Sequence, residues 1–381
     1  MPGRYDVDFD GLSSLIQDEP SFRSTQVWDG LYRRSLDPLD MTDLPRSLRE
    51  RLDSQLHPSL RLLAEYECDD GDTVKSVYEC LDGSRVESVL MAYPDRVTVC
   101  ISTQAGCAMA CKFCATGQAG FSRNLSSGEI VEQVVKAIQR SRPRRVTHVV
   151  LMGMGEPFAN YDRVWNAVVR IHSDIGVSAR RITMSTVGII PGIRRLSTAT
   201  LPVNLAVSLH AANDQLRDRL VPINRRYPLS DLAEALQEYI VATGRRLSFE
   251  WALIAGVNDR RSDVCELAEY ARPLNAHVNL IPLDPTSGFE VPATPHRKVL
   301  EFRENLAGLG INVTVRKTRG VEIQAACGQL SGDPVAAPLE AAGRILGRKR
   351  SFRDLGPAPL LGSGENSLSA VLEDLRRSER Y

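Results

Sequence analysis

Three cysteines, Cys107, Cys111 and Cys114, lie within eight residues of each other in the stretch GCAMACKFCATG. Thiolates at such close spacing converge on one inorganic centre, and the nearest following histidine, His148, is more than thirty residues away. Three thiolates without a fourth ligand suit a four-iron cluster in which one iron stays open to another ligand. A zinc site with a remote fourth ligand, or three unrelated buried thiols, is the alternative interpretation.

A glycine-rich stretch, MGMGEPFANYDRV, carries Gly153, Gly155 and Glu156 just after a strand-like run. Glycine lets the main chain approach a ligand closely because it has no Cβ atom. The Glu156 carboxylate can accept a hydrogen bond from an ammonium group. The stretch is therefore a candidate ligand site, although an ordinary strand-to-helix turn also explains the glycines.

Polar side chains close two later strand-like runs. Ser185 ends one of them, and Ser208, Leu209 and His210 end the next. Because the carboxyl ends of parallel strands meet at one edge, we expect these residues to line the same mouth as the cysteine motif. Taken one at a time, a strand-end cap or a buried core histidine is the alternative.

The segment VRKTRGVEIQAACGQL combines three cations with a lone thiol. Arg316, Lys317 and Arg319 precede Gly320, and Cys327 follows. This combination predicts a phosphate-binding edge beside a reactive thiol. A solvated basic strand end and a small buried cysteine form the alternative.

Alternating strand-like and helix-like runs must position these groups. The β-rich runs cover residues 96–102, 146–152, 181–186, 203–209, 247–254, 277–281 and 312–317. The helix-like runs between them include residues 126–140, 161–174, 230–243 and 296–309. Such alternation predicts parallel βα units over residues 95–330, arranged as a doubly wound sheet or a partial barrel.

The rest of the chain divides into an N-terminal unit and a tail. Residues 1–94 predict a small helical domain followed by a β-hairpin that turns at Asp82 and Gly83. The stretch 331–381 is rich in Pro, Gly and Ala and is predicted to be a flexible tail.

Composition limits the class of protein. Among 381 residues, 47 Lys and Arg balance 47 Asp and Glu, so net charge gives no global sign of a nucleic-acid partner. No apolar run approaches the ~18 residues of a membrane span, and the acidic start MPGRYDVDFDGL is unlike a secretory signal. The eight cysteines are too sparse for a disulfide scaffold, so we expect a cytoplasmic protein with reduced thiols.

The cysteine motif after the first strand of a βα series resembles that of the radical S-adenosylmethionine (radical SAM) enzymes. The motifs RVESV, TVCIS, GMGEPFANYDRV, SLHAANDQLRDRLVPINR, HVNLIPL and VRKTRGVEIQAACGQL follow the order typical of the RlmN/Cfr group of RNA adenine methyltransferases. The resemblance covers roughly residues 15 to 331. It implies an α/β fold, with a partial (βα)6-type radical SAM barrel and a small N-terminal helical accessory domain plus β-hairpin.

The resemblance also implies an activity and residue roles. The three motif cysteines would hold a [4Fe–4S] cluster, and each turnover would use two molecules of SAM. The first would methylate Cys327, and the second would yield a deoxyadenosyl radical that takes a hydrogen from this methyl group. The carbon radical would add to adenine C2, with Glu87 as proton acceptor. Cys100 would release the product by forming a disulfide with Cys327.

Ligands and partners follow from the same resemblance. Contacts to SAM are implied for Gly155, Glu156, Ser185, Ser208, Leu209, His210 and Asp284. At position 284 the family usually has Asn, and Asp keeps the acceptor oxygens but lacks the amide donor. RNA contacts are expected from Arg316, Lys317 and Arg319.

The implied substrates are 23S ribosomal RNA, near the peptidyl transferase centre, and the anticodon loop of tRNA. The implied electron donor is a flavodoxin- or ferredoxin-type protein, and we expect a monomer. Three alternatives stay open: Cfr-like methylation at C8, radical SAM methylation of another substrate, and a non-enzymatic RNA-binding protein with a zinc site.

Overall fold

The computed structural model describes residues 3–286, 288–289, 291–316 and 319–332. Its strands are β1 (Leu60–Cys68), β2 (Thr73–Cys80), β3 (Arg85–Ala92), β4 (Val97–Cys100), β5 (Gln104–Gly106), β6 (Phe121–Asn124), β7 (His148–Leu151), β8 (Ile182–Thr186), β9 (Asn204–Ser208), β10 (Ser248–Leu253), β11 (His277–Pro282) and β12 (Val313–Val315). Its α-helices are α1 (Phe9–Leu15), α2 (Phe22–Leu31), α3 (Arg46–Gln55), α4 (Ala115–Gln118), α5 (Ser127–Ser141), α6 (Tyr161–Arg170), α7 (Ile190–Ser197), α8 (Asp214–Leu220), α9 (Leu229–Thr243), α10 (Arg261–Ala271) and α11 (His296–Gly308). None of these helices is long and apolar enough to cross a membrane.

Ten strands form one sheet in the order β1-β2-β3-β4-β7-β8-β9-β10-β11-β12, while β5 and β6 pair separately. From β4 onward each neighbouring pair of the large sheet is parallel. Helical crossovers make six βα units and a seventh parallel strand within the described residues. The strand cores are apolar, as expected for parallel strands that helices cover. The predicted parallel βα arrangement is confirmed, and each predicted β-rich run covers one of these strands, except that β11 extends one residue beyond its run, to Pro282.

The sheet continues into the N-terminal unit. The predicted hairpin is confirmed as β2 and β3, and Gly83 adopts a φ of +83° in its turn. Strand β3 pairs antiparallel with β4, which places Val89 opposite Cys100. The sequence did not indicate β1, whose residues are mostly polar or half-exposed and lie at one edge of the sheet. The domain boundary at residue 94 stays a prediction, and the large sheet crosses it.

A carboxylate on α5 ties the N-terminal unit to the barrel. Glu132 accepts hydrogen bonds from the amides of Ser59 at 2.8 Å and Leu60 at 3.4 Å. The amide of Gly128, also on α5, donates to Asp6 at 2.9 Å. Apolar residues of α1 to α3 share one continuous core with the barrel. The two parts therefore pack as one body.

The loop that leads from β4 to the cysteine motif is held by Ser102. Its amide donates to Gln133 of α5 at 2.8 Å, and its carbonyl accepts from the same side chain at 3.0 Å. Its hydroxyl donates to the Glu87 carbonyl at 2.6 Å and accepts from the Met154 amide at 2.9 Å. Ser102 thus fixes the cysteine motif relative to β3 and to the glycine-rich stretch.

Candidate active site

A cavity opens at the carboxyl ends of the parallel strands, where the sequence predicts the site. Most predicted residues line it: Cys100, Cys107, Cys111, Cys114, Gly155, Glu156, Ser185, Ser208, His210, Arg316, Arg319 and Cys327. Glu87, Leu209 and Asp284 are described by the structure but do not belong to this lining. Lys317 lies outside the described residues.

The cysteine motif forms a tight loop between β5 and α4. The amide of Cys107 donates to the Gly120 carbonyl at 2.7 Å, which closes the loop at its base. A Cβ atom on Gly117 would lie 2.9 Å from the backbone nitrogen of Cys111, so only glycine fits there without a shift. These contacts turn the three thiols toward the cavity.

The three thiols fit an iron–sulfur cluster. Burial raises the pKa of all three, that of Cys107 to about 12, so their thiolates need a cation inside the cavity. Among the residues that the structure describes, no three Cys, His, Asp or Glu side chains are placed to hold one metal ion. An iron–sulfur cluster does not require the three thiols to meet at one metal ion, because each thiolate binds a different iron and the sulfurs stand further apart.

The glycine-rich stretch places Glu156 between two strand ends. Gly155 has a φ of +98°, and a Cβ atom there would lie 2.5 Å from the Gln104 side chain. The Glu156 carboxylate accepts from the amides of Phe158 at 3.0 Å and Val187 at 2.9 Å. Burial raises its pKa to about 7. The carboxylate is therefore firmly held, and its remaining lone pairs are available to a ligand in the cavity.

Three further side chains reach the cavity from strand ends. The Ser185 hydroxyl donates to the Leu151 carbonyl at 2.6 Å, so its oxygen can still accept from a ligand. His210 accepts from the Ala252 amide through Nδ1 at 2.9 Å, which assigns its proton to Nε2. Burial lowers the pKa of His210 to about 3, so the ring is neutral and donates through Nε2. Ser208 completes the set.

Two predicted SAM contacts stand apart from this set. The Leu209 side chain is fully buried in the core, on the opposite side from its neighbours Ser208 and His210. Asp284 lies just outside the lining, and its Oδ2 is buried without a hydrogen-bond partner among the described residues. Burial raises the pKa of Asp284. An unpaired buried carboxylate oxygen fits a hydroxyl donor from a ligand.

Cys327 enters the cavity on a segment that we call the thiol segment, residues 320–332. The carbonyl of Gly328 accepts from the amide of Ala115, which directly follows the motif cysteine Cys114, at 2.7 Å. Thr116 donates to the Leu330 carbonyl at 2.6 Å. The thiol segment is therefore docked on α4, which brings Cys327 to the cysteine motif.

Arg316 and Cys100 face the Cys327 sulfur. Arg316 Nη1 lies 3.2 Å from Cys327 Sγ, and the negative charge of this sulfur raises the pKa of Arg316. Burial raises the pKa of Cys100 to about 12, and the neighbouring charge of Cys327 adds to this effect. Both cysteines are free thiols in this structure. The arrangement places the Cys327 sulfur beside a guanidinium, with a second thiol nearby.

Glu87 is fully buried beneath the thiol segment and does not reach the cavity. Its Oε1 accepts from the Gly332 amide at 2.9 Å, and its Oε2 lies 3.6 Å from Lys75 Nζ. Burial raises the pKa of Glu87, while the Lys75 charge opposes this shift. In this conformation the predicted proton acceptor is covered.

Two of the three basic residues predicted for RNA binding, Arg316 and Arg319, have partners inside the protein. Arg316 contacts Cys327 as described. Arg319 donates to the Ala92 carbonyl at 2.8 Å and stacks 4.4 Å from the centre of the Tyr93 ring. Their role in RNA binding stays a prediction, and the geometry of Arg316 is that of a residue serving the thiol.

Sequence reasoning missed two charged residues of the site. Glu250 lines the cavity from β10 and accepts from Asn279 at 2.8 Å. Arg217 is fully buried on α8 and donates to the carbonyls of Val187 at 2.7 Å and Leu209 at 3.1 Å, which ties together two strand ends. A lone acid in the apolar run SFEWALI was a usable signal for Glu250, whereas LRDRL marks an ordinary helix surface.

Comparison with known proteins agrees with the radical SAM resemblance of the cysteine motif. The radical SAM superfamily model matches residues 101–271. A dual-specificity RNA methyltransferase RlmN of Salinispora tropica is 50% identical over 350 residues, which cover 87% of this chain and 94% of the relative. An RlmN of Chloroflexus aurantiacus is 49% identical over 346 residues, which cover 86% of this chain and 92% of the relative.

A solved structure has the same fold as this chain. The crystal structure of a radical SAM methyltransferase from Sphaerobacter thermophilus has a TM-score of 0.84 and 46% identity, and the match covers 87% of this chain and 100% of that one. The predicted radical SAM α/β fold is confirmed, and the superfamily implies a [4Fe–4S] cluster and SAM. The chain belongs to the RlmN family of dual-specificity RNA methyltransferases in the radical SAM superfamily.

Proposed function

We propose that this enzyme methylates C2 of adenine in 23S ribosomal RNA and in the tRNA anticodon loop, with Cys327 as the carrier of the methyl group. The observation that supports this most is the position of Cys327. It shares one cavity with the three motif cysteines, and Arg316 lies 3.2 Å from its sulfur. A thiol placed there can accept a methyl group from SAM and also meet a radical formed from SAM.

Cys107, Cys111 and Cys114 are the proposed cluster ligands. A [4Fe–4S] cluster held by these three thiolates would supply the electron that cleaves SAM to a deoxyadenosyl radical and would take one electron back from the substrate. Around it, Glu156 offers its carboxylate to the amino group of SAM. Asp284 offers its unpaired oxygen to a ribose hydroxyl.

Hydroxyls and an imidazole complete the proposed SAM site. Ser185 and Ser208 accept or donate hydrogen bonds at the strand ends, and His210 donates through Nε2. Gly155 allows the main chain to approach because it carries no Cβ atom. Leu209 contributes through its position in the chain, since its side chain lies in the core.

Cys327 acts first as a nucleophile. Its thiolate attacks the methyl group of one SAM molecule, a sulfur–carbon bond forms, and S-adenosylhomocysteine leaves. Cys327 would then present this methyl group to the deoxyadenosyl radical that a second SAM supplies, and the methyl group would lose one hydrogen atom to it. The resulting carbon radical adds to adenine C2, a carbon that is not nucleophilic and so cannot displace the methyl of SAM directly.

Glu87 and Cys100 complete the reaction. After loss of one electron from the base, Glu87 accepts the C2 proton and a CH2 group links Cys327 to the adenine. The Cys100 thiolate then attacks the Cys327 sulfur, so that a disulfide forms and the sulfur–CH2 bond breaks. The released carbon takes a proton and becomes the methyl group. Glu87 can act only after the thiol segment lifts, because Gly332 now covers it.

The disulfide must be reduced after each turnover, which requires a reducing compartment such as the cytoplasm. A flavodoxin- or ferredoxin-type protein is the proposed electron donor, and the working form is proposed to be a monomer. RNA is proposed to bind over the thiol segment, where Lys317 and Arg319 adjoin Gly320. Phosphate contacts of this kind position the RNA, while the exposed base supplies specificity.

The test is mass mapping of adenines in 23S ribosomal RNA and tRNA from a deletion strain that carries wild-type or C327A enzyme. We expect C2-methyladenine with the wild type and none with C327A. Methylation at C8 would replace the C2 assignment by the Cfr-like one. Methyl transfer by C327A at the wild-type rate would exclude the carrier role of Cys327.

A further inference from the structure

A lysine lies beside the proposed proton acceptor in the protein interior. Lys75 on β2 and Glu87 on β3 are 1% and 0% exposed, and Nζ lies 3.6 Å from Oε2. Val77 is the direct cross-strand partner of Glu87, so Lys75 is its diagonal neighbour on the same face of the sheet. Lysine is almost never fully buried unless it is paired.

We propose that Lys75 is a positioning residue for the methyl transfer, which keeps Glu87 ionised so that it can accept the C2 proton. This inference rests on the proposed function, because it assumes that Glu87 is the acceptor. Lys75 itself touches neither RNA nor SAM in this geometry, since it is buried below the thiol segment. Its effect on the reaction passes through Glu87.

Two groups of contacts face the Glu87 carboxylate. The amides of Ser331 and Gly332 donate to it from the thiol segment. Lys75 faces it from β2 and is the one cationic side chain within ion-pair distance among the described residues. Helix α5 also packs against β3, and its nearby acid, Glu129, is paired with Arg123 at 2.8 Å.

The amide contacts disappear when the thiol segment lifts to admit the base. Lys75 would also lose its bond to the Gln324 carbonyl, now at 3.4 Å. Its position on β2, beside Tyr66 of β1, does not depend on that segment. In the open state Lys75 is therefore the remaining group that favours the charged form of Glu87.

The sign of the effect follows from charge and burial. Burial disfavours the carboxylate and raises the pKa of Glu87, whereas the Lys75 cation opposes that rise. A neutral residue at position 75 lets the pKa of Glu87 rise further, so at a given pH a larger fraction of Glu87 holds a proton and cannot accept another. An opposite charge at this distance typically lowers a carboxyl pKa by about 1–3 units.

The test follows the C2 proton directly. RNA carrying tritium at adenine C2 is mixed with the full-length, cluster-loaded enzyme in single turnover, and tritium release into water is measured across a range of pH. The variants are K75M, K75Q, K75R and E87Q. The control is K136M, because Lys136 pairs with Glu132 at 3.5 Å in a second lysine–glutamate pair, and neither residue lines the cavity.

We expect the midpoint of tritium release to move up by about 1–3 pH units in K75M and K75Q, and to stay near the wild-type value in K75R and K136M. E87Q should abolish release at every pH. Infrared spectra without RNA give a second readout: the carboxylic acid band that E87Q removes should persist to higher pH in K75M. This spectrum can also be recorded for a variant that folds but does not turn over, so the protonation of Glu87 can be tested in that variant as well.

The outcomes separate the two proposals. Wild-type release by E87Q would exclude Glu87 as the acceptor and with it the role of Lys75. Abolished release in E87Q, with an unshifted midpoint and infrared band in K75M and K75Q, would overturn the role of Lys75 alone. A rate lowered equally at every pH would show that Lys75 is merely structural.

Discussion

Replacement of Arg316 by Gln should slow the loading of the methyl group onto Cys327. Arg316 Nη1 lies 3.2 Å from Cys327 Sγ, so the substitution removes a charge-assisted hydrogen bond to the nucleophilic sulfur. The thiolate, which is the reactive form of cysteine, then loses its nearest cation. Gln keeps a polar side chain but carries no charge, so the change isolates the electrostatic contribution.

The size of the effect follows from the contact. Two unit charges at 3.2 Å attract by ~5 kcal/mol at an effective dielectric constant of ~20, and desolvation offsets a large part of this. Hydrogen bonds to charged groups contribute about 1.5–3 kcal/mol net. Since ~1.4 kcal/mol corresponds to a factor of ten, R316Q should load methyl about 10- to 100-fold more slowly.

The assay uses cluster-loaded enzyme and SAM without RNA. Intact mass spectrometry follows the gain of one methyl group with time, and peptide mapping assigns it to Cys327. The matched control is R170Q, which removes another half-buried guanidinium that bonds to Tyr5 and Tyr32 and lies outside the cavity lining. Loading by R316Q at the rate of R170Q and wild type would refute the argument.

Three further predictions concern the same cavity. C100A should accumulate RNA bound covalently to Cys327, because the thiol that breaks the sulfur–CH2 bond is absent. A gel shift that persists after denaturation measures this adduct, and free methylated RNA at the wild-type level would contradict the prediction. G155A should lower the free energy of unfolding by about 1–3 kcal/mol, because its φ is +98° and its Cβ would lie 2.5 Å from Gln104, and urea unfolding measures it. His210 has its pKa lowered to about 3 in the fold against ~6.5 when unfolded. Between these two pKa values the unfolded chain binds one proton more than the folded chain, so the free energy of unfolding falls by about 1.4 kcal/mol per pH unit as the pH drops. Urea unfolding at a series of pH values should show this slope in the wild type and a flatter dependence on pH in H210Q.

Short sequence patterns were sufficient to predict much of the candidate site. The spacing of Cys107, Cys111 and Cys114 and the polar residues at strand ends depend on short stretches of chain, and the cavity collects both. Strand alternation does not decide the direction of Leu209, because β9 ends at Ser208 and His210 has a φ of +60°. The apolar type of Leu209, between two polar residues, was the usable signal against a hydrogen bond from its side chain.

Contacts between strands and between distant parts of the chain could not be predicted from short sequence patterns. Lys75 meets Glu87 only because of the register of two strands, and Lys75, unlike Glu87 in RVESV, belongs to none of the motifs. The position of Glu87 under Gly332 joins residues 245 positions apart in sequence. Strand β1 was missed because its alternation of apolar and polar residues is interrupted at Leu62, Leu63 and Ala64, where its pairing with β2 also shifts register.

The continuous sheet has a consequence for how this chain can be cut and recombined. Removal of residues 1–94 would strip β3 from β4 and expose the edge of β4 that β3 covers, while β4 would keep its pairing with β7 on the other side. An unprotected edge of this kind recruits strands from other molecules, so a truncated barrel should aggregate. Chimaeras between relatives should therefore exchange the N-terminal unit together with β4, so that the hydrogen-bonded seam between Val89 and Cys100 comes from one parent.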